Sequence, residues 1–335
     1  MDWFERLTGF SEVGYEETRA KLEASDRTLR CKVNARRYAV GELELASLAE
    51  LRERVGRPAG AAKPLRFSNV VGDVRQLHQS PEYAGALFQV ASQFNLLEMV
   101  GPGVTPEDGV TRYAHDRTQG PACAIAAGAA TIYRNYFTPV AGEIGQTSRR
   151  QLDGLADLGA TLAADLNGSV EELWIMRNGY ALPSEAGLNA IGRHLRALDE
   201  AERDRLRGLL RIGVHRDVEV TDAPSLPGPL VSQAFCSALP VSYAGLPRAD
   251  WPPFAQLVLE AAYEATLLEG VLNARRGASN VVLLTRLGGG AFGNDDRWIN
   301  AALIRALQLA DGHGLDIRLV SYGAVPQAMR GLETG

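Results

Sequence analysis

Apolar and polar positions along this chain change period several times, and each change marks an element. Phe67–Val71 and Leu87–Ala91 are short apolar runs bounded by turn residues, which predicts strands. Gln233–Val241, Asn280–Arg286 and Leu315–Val320 read the same way. Ile299, Ala302, Leu303, Ala306, Leu307 and Ala310 recur at helical spacing, and a longer helix is expected over Pro252–Asn273. Gly120-Pro121 opens a further helix to about Tyr136, with proline in its first turn. Its side chains are mostly small, so it packs close to its neighbours with its N-terminus deep in the molecule. Nearer the start, helices are predicted at Tyr15–Ala24 and Leu48–Val55, with a hairpin of Thr28–Asn34 and Tyr38–Leu45 between them.

Pro58–Pro64, with Ala and Gly between, reads as a linker, which divides the chain into an N-terminal extension (1–60) and a main domain (61–335). Residues from about 144 to 215 form a mostly helical insertion with one strand near Leu173–Met176. The charged run Asp199–Arg207 is expected to be a solvated helix face. Pro224–Pro229 is a turn-rich break, and no internal repeat is evident.

At 335 residues, 46% hydrophobic and 22% charged, the composition is that of an ordinary globular protein. A net charge of −5 argues against a general nucleic-acid binder. The N-terminus, Met1-Asp2-Trp3-Phe4-Glu5, lacks the pattern of a signal peptide, and no apolar run reaches membrane-spanning length. A cytoplasmic protein with no membrane partner is therefore expected. Cys31, Cys123 and Cys236 are odd in number and far apart, which suits reduced core thiols. The five histidines show no metal-ligand spacing, so neither a metal nor a cofactor is anticipated.

The stretch Asn280–Gly293 carries the chemistry. A β-branched run ends at Arg286, three glycines turn the chain, and Asn294 is placed to cap the helix that follows. Backbone N–H groups in such a loop suit a phosphate or pyrophosphate. Gly288, Gly290 and Gly293 satisfy the dinucleotide fingerprint, but too little chain follows to build a doubly wound sheet. No G-K-[ST] follows either. The alternative is a glycine turn that serves only tight strand–helix packing.

Several segments together resemble the macrodomain superfamily of ADP-ribose-binding proteins. Phe67–Val74, with Gly72-Asp73-Val74, is similar to the family's early strand, whose aspartate takes the adenine amino group. Leu287–Asn294 resembles the diphosphate-cradling loop, and Leu315–Tyr322 the final strand with its aromatic against adenine. Phe88–Asn95, Tyr113–Cys123, Tyr133–Tyr136 and Gly288–Asn294 more specifically resemble the divergent MavL-like branch, which acts on ADP-ribosylated arginine. The family's Asn-Ala-Ala-Asn first loop is absent. The resemblance implies a three-layer α/β/α fold with a mixed sheet, and a function as an ADP-ribosylhydrolase that acts on ADP-ribosylated protein.

On that reading the diphosphate is held by the backbone of Gly288, Gly289, Gly290, Ala291, Phe292, Gly293 and Asn294, with a second donor set at Gly120-Pro121-Ala122 and Gln119 a further ligand-binding residue. Asp73 and Tyr322 serve adenine, and Gln93 and Asn95 the distal ribose. Asp116 assists water at the anomeric carbon, with Asp108 as a second carboxylate. Each has a plainer alternative: Asp73 and Asp116 as caps, Asp108 as a turn former, and Phe292 or Arg134 as packing. A reader without catalysis, or a hydrolase of a small ADP-ribose metabolite, remains an alternative function.

Overall fold

Alternation along the central strands sends successive side chains to opposite faces, and each face finds its own helices. The computed structural model describes residues 1–25, 27–57 and 62–331. Seven strands form the main sheet: β1 (Glu42–Ser47), β2 (Arg66–Val71), β3 (Leu87–Ala91), β4 (Arg211–Glu219), β5 (Leu230–Cys236), β6 (Val281–Leu284) and β7 (Asp316–Ser321). Their spatial order is β1-β4-β5-β3-β6-β7-β2. From β5 to β2 every pairing is parallel, while β4 runs antiparallel to both β1 and β5. The sheet is mixed.

Phe88, Val90, Phe235 and Leu283 point to one face, against Val74, Cys123, Ala127 and Ala130. Those residues come from α2 (Val74–Gln79), α3 (Gln119–Ala126), α4 (Gly128–Tyr136) and the junction between α3 and α4. Leu87, Ala234, Val282, Leu284 and Ile317 point the other way. There they meet α1 (Leu48–Val55), α5 (Pro252–Arg275) and α6 (Asp296–Ala310). All six apolar positions that marked α6 in the sequence are buried. The result is the three-layer α/β/α architecture.

Four departures from the sequence reading concern where elements begin, end and pack. The expected second hairpin strand divides at Gly41 (φ +62), where a Cβ would overlap Arg216 O. Arg37–Ala39 pairs with Thr28–Cys31, but Glu42–Ser47 leaves to become the sheet edge β1. The expected long helix from Gly120 breaks at Ala127. Gly128 N donates to Thr221 Oγ1, and the Trp3 ring leaves no room for a Cβ there, so a third element fixes the break. Residues from Arg211 belong to the central sheet rather than to the insertion.

The charged run also departs from its expected role as a solvated face. In the helix Glu200–Gly208, Arg207 is buried and pairs with Glu260, while Asp204 pairs with Arg52 and Arg305. The predicted linker falls largely on residues 58–61, outside the described residues.

Candidate functional site

Parallel strands place their carboxyl ends on one edge, and the loops leaving β3, β5, β6 and β7 meet there around a cleft of about 350 Å³. Clefts outside strand carboxyl ends are the usual ligand sites of open α/β sheets.

The glycine loop after β6 forms one wall, and its backbone accounting can be completed. Gly289 N donates to Arg286 O, Gly293 N to Gly290 O and Asn294 N to Gly288 O. The N–H groups of Gly290, Ala291 and Phe292 meet no acceptor among the described residues. Gly288 and Gly293 have positive φ, and a Cβ on Gly293 would overlap Ser242 Oγ. A Cβ on Gly290 meets nothing within 4 Å. The outer glycines shape the loop and the middle of it faces open space. Of the seven residues expected to hold the diphosphate, Gly289, Gly293 and Asn294 have their N–H groups used within the loop.

Asn294 is not the cap of α6, a role taken by Asp295, whose side chain accepts from Arg297 N. Buried Asn294 instead donates from Nδ2 to Leu239 O and ties the loop to the chain after β5. Asp296 turns to Arg286, which keeps its charge from standing unpaired beside the loop.

The facing wall is the start of α3. Gln119 Oε1 accepts from Ala91 N at 2.8 Å and Nε2 donates to Gln89 O at 2.8 Å, so this side chain continues the ladder of β3. It anchors the helix rather than reaching a ligand. Gly120 lies so close to Ala91 O that any Cβ would overlap it. Ala122 N returns to Thr118 O and Pro121 has no N–H, which corrects the second donor set to the backbone of Gln119 and Gly120.

The remaining candidates divide. Asp116 and Tyr322 line the cleft, Tyr322 with 85% of its surface exposed. Asp116 Oδ1 accepts from Thr118 N at 2.8 Å, so the carboxylate both caps this turn and faces the cleft. Asp108 does not line it: Thr105-Pro-Glu-Asp closes a capping box, with Asp108 Oδ2 accepting from Thr105 N. Asp73 likewise caps α2 through Arg75 N and lies outside the cleft lining.

Gln93 lines the cleft, but its amide is engaged by Met99 N and Met99 O. Asn95 is fully buried, accepting from Leu97 N and donating to Gln151. It holds the insertion to the loop instead of facing a ligand. Arg134 is core, stacked 3.9 Å over Phe235.

Among the cleft residues that sequence reasoning missed are Glu98, Tyr180 and Tyr243. Glu98 is buried, and desolvation pushes its carboxyl up to about 7 in spite of nearby Arg134. A lone charge within Asn95-Leu-Leu-Glu-Met-Val100 was its signal. Tyr180 arrives on the hairpin Trp174–Arg177/Tyr180–Pro183, whose Asn178-Gly179 turn was the available cue. Tyr243 follows β5 in the short helix Val241–Ala244, and nothing local marked it. Tyr180, Tyr243 and Phe292 pack together with ring centroids 5.2–5.7 Å apart. No group of three or more His, Cys, Asp or Glu is placed to hold a metal among the described residues.

The arrangement offers backbone donors on two walls, a carboxylate in the lining and aromatic side chains from separate loops. An anionic centre with flat groups attached would match it.

No family model and no curated protein matches this chain. Among solved structures, poly(ADP-ribose) glycohydrolase from Deinococcus radiodurans in complex with ADP-ribose aligns over 86% of this chain and 92% of that one, with 14% identity and a TM-score of 0.44. The Thermomonospora curvata enzyme bound to the inhibitor ADP-HPD aligns over 95% and 93%, with 12% identity and a TM-score of 0.43. Likeness this distant transfers no residue role and no activity.

Proposed function

We propose that the cleft binds ADP-ribose and that the protein hydrolyses ADP-ribose from a modified protein, with arginine as the linked residue. One observation carries the reading: unbonded N–H groups of Gly290–Phe292 and of Gln119-Gly120 belong to the two walls of one cleft that Asp116 also lines. Donors on two sides suit a diphosphate better than a single phosphate. The motifs similar to MavL-like proteins are what favour arginine over other linkages.

In the proposed reaction, water attacks the anomeric carbon as the C–N bond breaks, and the bonding pair leaves with the guanidine nitrogen. Positive charge develops on the ribose, where the Asp116 carboxylate stabilises it and takes the proton from water. That proton ends on the released guanidine. Asp108, held in its own turn, has no part in this scheme.

The test is release of free ADP-ribose from arginine-, serine- and glutamate-modified proteins by wild type, Asp116→Asn and Gly290→Glu. Gly290→Glu places a carboxylate in the open space of the donor loop and should abolish binding. Asp116→Asn should bind ADP-ribose and lose about 10²–10⁴-fold in rate. Binding without release by wild type would make the protein a reader. Failure to bind ADP-ribose at all would end the reading.

A further inference from the structure

The cleft carries aromatic side chains from separate loops, and their surroundings differ. Tyr322 follows β7, while Tyr243 follows β5, and these strands stand three positions apart in the sheet. Three strand spacings are roughly 14 Å, so the two rings reach the cleft from well-separated strands. Tyr322 is a single exposed ring. Phe292 and Tyr243 meet edge to face at 75°, forming a corner. Tyr180 lies behind both, buried, its hydroxyl donating to Met99 O at 2.6 Å. Tyr243 keeps 36% of its surface exposed. Asp116 lines the same cleft as Tyr180, Tyr243 and Phe292.

Resting on the function proposed above, we infer that the Tyr243–Phe292 corner, in the cleft that Asp116 also lines, is the subsite for the group released from ADP-ribose, and that it takes a planar cation, the guanidinium of arginine. A ring corner alone would accept any flat group. A carboxylate in the same cleft selects a positive one, because ring faces and carboxylate both attract a cation and the carboxylate repels an anion. A guanidinium stacks on a ring face while keeping its in-plane N–H groups free for the carboxylate. The insertion thereby acquires a role: its hairpin supplies Tyr180, the support on which the corner is built.

The experiment compares wild type, Tyr243→Phe and Tyr243→Leu. It reads kcat/KM on an arginine-linked ADP-ribosyl peptide, affinity for free ADP-ribose, and inhibition by agmatine, a guanidinium probe. Tyr243→Leu should lower kcat/KM roughly five- to thirty-fold and weaken agmatine inhibition by a similar factor. Its affinity for ADP-ribose should stay within about twofold. Tyr243→Phe keeps the ring and should retain most of the agmatine inhibition that Tyr243→Leu loses. An unchanged kcat/KM in Tyr243→Leu, or a parallel loss of ADP-ribose affinity, overturns the subsite. Absence of ADP-ribose binding or cleavage by wild type would instead defeat the underlying function.

Discussion

Glu98 Oε1 stands 3.5 Å from Arg134 Nη2, and neither side chain is more than 1% exposed. Glu98 Oε2 and Arg134 Nη1 meet no hydrogen-bond partner among the described residues. At that separation the attraction does not offset the loss of water, so the carboxyl is raised and the guanidinium lowered.

A pH dependence follows from Glu98. Its folded value of about 7 exceeds the ordinary 4.5, so the folded state holds a proton that the unfolded state releases. That contribution is fully present below pH 4.5 and is lost as pH rises through about 7. Its size is about 3 kcal/mol. Urea unfolding of wild type and Glu98→Gln from pH 4.5 to 8 should show the glutamine variant gaining on wild type with rising pH. Parallel curves would mean that the carboxyl is ionised throughout.

His78 acts in the opposite sense. Buried against Phe88, it meets Val74 O through Nδ1 and Gln233 Nε2 through Nε2. Burial lowers it from 6.5 to about 4, so the unfolded state binds the proton first. Stability is lost as pH falls from 6.5 through about 4, again by about 3 kcal/mol. In the Glu98→Gln background His78 should account for part of this acid limb, the rest coming from buried His215, which desolvation and nearby Arg134 also hold well below 6.5. An undiminished limb in a His78→Gln, Glu98→Gln double variant would clear His78 of any share in it.

Two glycines of one loop should answer differently to alanine. Gly293→Ala meets positive φ and overlaps Ser242, and should cost about 1–3 kcal/mol in thermal unfolding. Gly290→Ala enters open space and should change stability by less than about 0.5 kcal/mol. Equal effects would contradict this loop geometry.

The hairpin turn offers a remote test of the cleft. Gly179 has φ +79, and its Cβ would stand 2.6 Å from Gln93 Cβ and Asn95 Oδ1. Gly179→Ala should push the Tyr180 hairpin from the loop after β3. Destabilisation of about 1–3 kcal/mol, with reduced turnover of arginine-linked substrate, is the expected outcome. Unaltered stability and kinetics would show that the hairpin is not pinned there.

Asp108→Ala separates two carboxylates that look alike in sequence. It should cost about 1 kcal/mol through the lost cap, with ADP-ribose release unchanged. A rate loss as large as that of Asp116→Asn would restore Asp108 to the reaction.

What was legible in sequence was what local pattern determines. Leu48–Val55 and Leu87–Ala91 stand where expected, and the glycine turn faces a cleft. Backbone bookkeeping was not legible: which N–H groups the loop consumes depends on how Arg286 O and Gly290 O fold back. Side-chain duties set by distant partners were equally hidden. Asn95 bonds Gln151, and the α3–α4 break depends on Trp3 and Thr221, none of them sequence neighbours.

Among the sheet strands, β1 is the first to be synthesised and stands at an edge. Its register runs Arg211↔Ser47 to Arg216↔Glu42, with a partner more than 160 residues later in the chain. Until β4 has been made, Leu43, Leu45 and Ala46 have no sheet to join. Closure of that edge is therefore a late, non-local event, slow by the ordinary dependence of folding rate on sequence separation. During that wait the early strand is open to wrong partners, and its glutamates at positions 42 and 44 supply the charge that discourages them.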